Sequence, residues 1–383
     1  MKYRYQFHPG DYELGENEKF YGDMEAKGWR LVKRGGRLSK FAPVEPSRAR
    51  YRIEVFAPGF LEQSVLPEEQ VAVFADCGWE YVTDRGLLHI FRAPAGSDAP
   101  EFYSDPAQQA ETLKALRKNT LWGWSPALLW LVVYLGLNAL MKGSAQVLGD
   151  LQRRFIQIPP LYFAVGFTIL WQLYQHTRDA WIITRTYRRL KNGVPLDHNP
   201  RKRHVLHKLV NRTLAGLAAA CLLLMAVQLA ATRSTDPADR VNEPYLLLTD
   251  LGWRGEQGVS VLGDESSVTH TPSLLADYWD VREFLKTPAG RTVWMYQDVY
   301  RLRDAGMARA LAEASMKTAT FGDDGKNFQP LEAAGLDAAW TNGHLEVVAV
   351  KGPYVAYVSY LGASHDDFDP LPLCAALAER WAD

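Results

Sequence analysis

Net charge, cysteine and reaction motifs are all scarce in this chain, and each scarcity narrows what it can be. Its 383 residues hold three cysteines, and the formal charge is −1. Three thiols spread over the length give neither a disulfide framework nor a zinc ligand set. No G-x-S-x-G, H-E-x-x-H, P-loop or Rossmann glycine pattern occurs, so the common arrangements for acyl transfer, zinc hydrolysis and phosphate binding are missing. Ser266 and Ser267 lie near His270, but without an orienting carboxylate or oxyanion donors. Met1 to Gly10 lacks the apolar core of a cleavable signal peptide, which leaves the first apolar stretch as the expected targeting signal.

The near-zero charge is a cancellation. Residues 1–232 carry 30 Lys+Arg against 21 Asp+Glu, and residues 233–383 carry 13 against 23. The two parts are therefore suited to different surroundings. The mean hydropathy of −0.22 likewise averages polar domains with three apolar stretches, Leu121 to Met141, Pro160 to Gln175 and Thr213 to Ala231. Each approaches the ~20 residues that a helix needs to cross ~30 Å of hydrocarbon, so three transmembrane α-helices are expected within residues 121–232. The loop 176–212 between the second and third, in which His176 to Leu190 is expected to continue the second helix as a basic extension and Lys191 to Pro200 to break it, carries Arg178, Arg185, Arg188, Arg189, Lys191, Arg201, Lys202, Arg203, Lys208 and Arg212. Lys and Arg are retained on the cytoplasmic side. The reading is a multi-pass protein of a bacterial plasma membrane, with the N-terminus cytoplasmic and residues 233–383 forming an extracytoplasmic α+β domain. Positive-inside retention accounts for the basic loop, with anionic headgroups or nucleic acid as other partners for it; no nucleic acid is expected.

Residues 1–97 read as a duplicated α+β module, two β-α-β-β repeats of about 50 residues. Sliding the chain by fifty aligns Glu18 with Glu68, Met24 with Phe74, Gly28 with Gly78, Trp29 with Trp79, Val32 with Val82, Gly36 with Gly86, Leu38 with Leu88 and Phe41 with Phe91. Gly28 and Gly78 fall where a left-handed residue would end each helix. Trp29 and Trp79 would then bury their rings on a sheet, a structural reading preferred over ligand contact. Residues 98–120 read as a linker helix into the membrane region. In the C-terminal part, strands are expected at 245–249, 258–262, 292–297, 345–350 and 354–360, with helices at 300–316 and 371–381. The one ligand-like group is His365, Asp366, Asp367 and Asp369, a weak candidate cation site that reads first as a solvated loop capping the last helix. No cofactor is expected.

The block Glu18-Lys-Phe-Tyr-Gly-Asp-Met-Glu-Ala-Lys-Gly-Trp-Arg-Leu-Val32, followed by Leu38-Ser-Lys-Phe41 and Tyr51-Arg-Ile-Glu54, resembles a bacterial membrane-protein family known only as a domain of unknown function, DUF2812. The likeness covers about residues 1–115. It implies a cytoplasmic α+β module on a membrane anchor, associated with transcriptional regulators and without an assigned activity; it implies nothing for residues 233–383. The expected function is regulatory or sensory and non-enzymatic, with an outer domain linked to a module that binds a cytosolic or membrane protein, and with a homo-oligomer possible in principle. Two alternatives remain: an accessory subunit of a transporter or envelope complex, and an outer-face metal-dependent enzyme.

Overall fold

A computed structural model describes residues 2–56, 66–94, 96–122, 126–200, 205–237, 240, 242–260, 263–318, 327–362 and 368–382. The chain divides into two compact units, each assembled from two separated segments. The first is Met1–Leu129 with Leu170–Asn211, and the second is Trp130–Ile169 with Arg212–Asp383.

In the first unit, β1 (Arg4–Phe7), α1 (Leu14–Glu25), β2 (Trp29–Arg34) and β3 (Leu38–Pro43) precede β4 (Arg50–Val55), α2 (Glu68–Asp76), β5 (Glu80–Arg85) and β6 (Leu88–Ala93). Two three-stranded antiparallel sheets result, ordered β1-β3-β2 and β4-β6-β5. Each carries one register bulge, at Leu31/Lys33 and at Tyr81/Thr83. Both helices close at a glycine: Gly28 takes φ +82° and Gly78 φ +89°, a left-handed conformation that a Cβ disfavours. The chain can therefore turn at once into Trp29 and Trp79. α3 (Pro106–Trp122) follows.

Tyr21 and Met24 of α1 pack with Leu31 and Phe41 of the first sheet and with Tyr51, Ile53, Leu88 and Ile90 of the second. Leu113 of α3 and Ile183, Tyr187 and Leu190 complete that core. A smaller cluster of Trp79, Phe91, Phe74 and Phe102 seats α2 on the opposite face of the second sheet.

α4 (Pro126–Lys142), α5 (Ser144–Gln157), α6 (Pro159–Lys191) and α7 (Val205–Ala231) come next. The expectation of three transmembrane helices is corrected here. Among the described residues one helix, Leu209–Ala231, is long and apolar enough to cross a membrane, with mean hydropathy 2.2 and only 11% burial. α4 has 17 residues, a rise of ~25 Å that falls short of the hydrocarbon thickness. α6 runs from the apolar stretch into the expected basic extension, through Arg178, Asp179, Arg185, Arg188 and Arg189, and ends at Lys191. It meets α5 at a bend of 108°. Apolar content in a window registers none of these breaks.

The rest of the second unit is α+β. β7 (Arg233–Thr235), β8 (Glu256–Gln257), β9 (Ser267–Pro272), β10 (Ala276–Lys286), β11 (Thr292–Leu302), α8 (Ala308–Lys317), β12 (Gln329–Leu331), β13 (Ala338–Thr341), β14 (Glu346–Lys351), β15 (Tyr354–Leu361) and α9 (Pro370–Arg380) follow in order. The strands form one antiparallel sheet, β12-β13-β14-β15-β11-β10-β9-β7, with β8 also paired to β10. Both sheet faces are covered. Leu373, Leu377 and Trp381 of α9 pack with Val281, Val293 and Met295, whereas Ala308, Leu311 and Ala312 of α8 pack with Ala276, Tyr300 and Val350.

The β14–β15 hairpin turns through Gly352 at φ +56°, close to its expected place. The strand expected at 245–249 is absent; a 3-10 turn occupies Leu248–Leu251. The helix expected from 300 starts at 308, because Tyr300 and Leu302 are still inside β11, paired with Tyr278 and Ala276.

Candidate functional site

Two polar junctions stand out, one in each unit, and both involve the α5–α6 stretch. In the first unit the polar extension of α6 is fastened to α1. Arg178 forms an ion pair with Glu13 in which the side chains are 12% and 7% exposed. Glu13 also accepts from the Gly10 amide at 2.9 Å. Beside it, Asn17 donates to Gly10 O at 2.7 Å and accepts from Arg34 at 2.7 Å. Burial pushes the neighbouring Asp179 carboxyl up to about 6, against the pull of Arg178 and with Glu13 and Asp11 adding to it.

Beyond Lys191 the chain is laid along the same helix. His198 Nδ1 lies 2.5 Å from Glu18 Oε2, and the other oxygen of Glu18 accepts from the Ile53 amide at 2.9 Å. A Cβ on Gly15 would stand 2.0 Å from Asp197 O, so only glycine admits this approach. Apolar packing by Ile183, Tyr187 and Leu190 supplies the area, and Arg117 sits over the Tyr187 ring at 5.0 Å. The basic extension of the second apolar helix and the chain after it are thus partly a structural strap. Arg185, Arg188 and Arg189 remain on its outside, lining a shallow open depression with Trp181 and Asn192.

In the second unit, α5 is fastened to the sheet. Arg153, 15% exposed, pairs with Asp298 and donates to Thr318 Oγ1 at 2.6 Å. Asp298 accepts in addition from Tyr278 OH at 2.5 Å, and Gln157 donates to Tyr300 OH at 2.8 Å. Burial opposes the Arg153 charge, but Tyr300 and Asp298 beside it hold its pKa above the ordinary arginine value. Burial in turn pushes Tyr300 up to about 12, with Arg153 pulling the other way. Ser273 Oγ donates to Ile156 O at 2.7 Å. A Cβ on Gly149 would come within 2.8 Å of Ala314 O, so glycine lets the backbones of α5 and α8 approach closely. A buried charge keeps its place through such pairing, and loss of one partner strands the other.

The residues singled out in sequence are dispersed. Trp79 is 1% exposed and donates from its indole to Pro100 O at 2.9 Å; Trp29 is half-buried under the Arg4 guanidinium. His365, Asp366 and Asp367 lie outside the described residues, and Asp369 caps α9 by accepting from the Leu371 amide at 3.0 Å. Among the described residues no group of three or more His, Cys, Asp or Glu side chains is placed to hold a metal ion.

Ser266 exchanges hydrogen bonds with the backbone of Phe284, whereas His270 stacks on Trp279 at 4.7 Å; the two do not meet. Burial pushes the Cys374 thiol up to about 11, which leaves it inert as a nucleophile at neutral pH. Arg153, Gly149, Arg178, His198 and Gly15 were not legible as a group, because their partners lie far off in the chain. The one local sign is the amphipathic run of residues 144–157.

No curated protein and no solved structure matches the chain. Residues 13–124, from the start of α1 through α3, match the family model described as Protein of unknown function (DUF2812), and the chain carries a DUF2812 domain in its N-terminal part.

Proposed function

We propose that this is a membrane-associated regulatory protein in which events at the C-terminal α+β domain are passed to the DUF2812 module through α5 and α6. One observation carries the reading. Two consecutive helices are each locked by a largely buried ion pair to a different folded unit, α5 through Arg153–Asp298 and the α6 extension through Arg178–Glu13. A tether needs only a polar surface and slack. Buried pairs, by contrast, make displacement of either helix costly and all-or-none, which is what a two-state element requires. Membrane association itself is supported by the exposed apolar surface of α7, where Leu223 is 67% and Val227 60% exposed.

The test is hydrogen exchange on the full-length protein in lipid nanodiscs, with and without Arg153→Met. Coupling predicts faster amide exchange at residues 10–18 and 192–199 in the variant, although none of them touches residue 153. Unchanged exchange there, with α5 itself loosened, would refute transmission while leaving membrane association intact.

A further inference from the structure

The two small sheets of the DUF2812 module are built alike, yet among the described residues only one has its second face covered. Tyr5 pairs with Lys40 and Phe7 with Leu38 in the first; Ile53 pairs with Ile90 and Val55 with Leu88 in the second. Tyr3, Tyr5, Phe7 and Leu38 therefore occupy the positions of Tyr51, Ile53, Val55 and Leu88. In the second sheet these four are 1–3% exposed. In the first they are 41%, 61%, 69% and 41% exposed. Contiguous exposed aromatics on an edge strand mark an interaction surface.

The molecule itself shows what covers such a face. α1 lies on the second sheet with Glu18, Gly22 and Glu25 turned to it. Glu18 accepts from the Ile53 amide at 2.9 Å and sits 3.9 Å from Arg52. A Cβ on Gly22 would lie 3.2 Å from Ala49 O, and Glu25 accepts from Tyr51 OH at 2.6 Å. The matching positions on α2, fifty residues on, are Glu68, Ala72 and Ala75, and all three are exposed. Acid at the first and a small side chain at the second are retained. The sheet side matches too: Arg4 stands over Trp29 at 5.5 Å as Arg52 stands over Trp79 at 6.0 Å. Charge is complementary between the two, with Lys33 and Lys40 on the open face of the sheet, Arg4 beside it on the edge strand, paired with Phe41 of the covered face, and Glu68 and Glu69 on the helix.

We propose that the open face of the first sheet is the docking surface for α2 of a second copy of this chain, in a head-to-tail contact that repeats the packing of α1 on the second sheet. Glu68 of one copy takes toward Arg4 and the Tyr5 amide of the next the role that Glu18 takes toward Arg52 and the Ile53 amide. The contact uses different surfaces on the two partners, so it builds a ring or an open row rather than a two-fold dimer. It stands independently of the signalling role proposed above.

The experiment uses full-length protein in membranes, in a Cys77→Ser background, with two differently tagged chains co-expressed. One carries Tyr3→Cys and the other Ala75→Cys, and a short bifunctional thiol reagent joins them. The expected result is a cross-tag product at least tenfold above either variant expressed alone. Arg4→Glu or Glu68→Arg on the cysteine-bearing chains should each abolish it, and pairing the two reversals across the contact should restore it. No cross-tag product, or one insensitive to both reversals, would overturn the proposal. So would self-association absent in nanodiscs alongside an Arg4→Glu-sensitive attachment to anionic vesicles, which would assign the face to lipid.

Discussion

Arg153 and Asp298, 145 residues apart, form an ion pair in which the side chains are only 15% and 20% exposed. Asp298 is held in turn by Tyr278, and Arg153 by Thr318, so the pair is the centre of a network rather than an isolated bridge. Networks of this kind fix one arrangement because each partner removed leaves an unpaired buried group.

Arg153→Met should therefore cost about 3 kcal/mol, the low end of the range for breaking a buried pair, since both groups keep some water. Asp298→Asn should cost a similar amount, and the double variant less than the sum of the two. Urea unfolding followed by the tryptophans of the second unit measures all three.

Glycine to alanine in a helix interior normally stabilises by ~1 kcal/mol. Gly149→Ala should do the reverse, because the added carbon would meet Ala314 O at 2.8 Å. Gly15→Ala, facing Asp197 O at 2.0 Å, should release the segment after α6 and expose it to limited proteolysis. Gly216→Ala, with nothing within 4 Å, is the control and should be neutral or stabilising. Thermal melts of the three side by side give the answer.

Burial pushes the Glu283 carboxyl up to about 7, partly offset by the Leu248 amide that donates to it at 2.7 Å. A folded-state value above the unfolded one means the folded state binds the proton more tightly. The contribution is thus fully present below about 4.5 and is lost as pH rises through 7, at up to ~1.4 kcal/mol per pH unit. Glu283→Gln keeps an acceptor for the amide and removes the titration. Its stability relative to wild type should grow between pH 5 and 8; a flat difference across that range would exclude the assignment.

Leu223 lies within the apolar helix Leu209–Ala231. An arginine at the centre of a crossing helix costs about 2.5–3.5 kcal/mol. Leu223→Arg should move the protein out of the carbonate-resistant membrane pellet, as read by immunoblot of the fractions, while Arg212→Ala at the helix edge should not.

Much of the local structure could be read directly. The Gly28-Trp29 and Gly78-Trp79 pairs mark helix ends because a left-handed residue followed by a large aromatic is a local signature, set within four or five residues. The β14–β15 hairpin and α9 were equally plain, from Gly352 and from Asp369-Pro370. By contrast, β10 was missed: Asp277, Asp280, Arg282 and Glu283 break its apolar pattern, and their partners, Arg301 and Arg303 for Asp277 and the Leu248 amide for Glu283, come from elsewhere in the chain. Membrane crossings were over-read for a related reason. Apolar content alone does not report that Gly143 at φ +86° separates α4 from α5, or that α5 and α6 meet at a bend of 108°.

By itself, the sequence determined the elements whose causes are local: the glycine-closed helices, the hairpin turns, the acidic cap of the last helix, and the DUF2812 stretch. Tertiary structure alone decided which charges are buried and against what. Arg153 and Arg178 look like any solvated basic residues until folding brings Asp298 and Glu13 to them across 145 and 165 residues. The worth of a charge is set by its desolvation and its partner, and neither is a property of its neighbours in the chain.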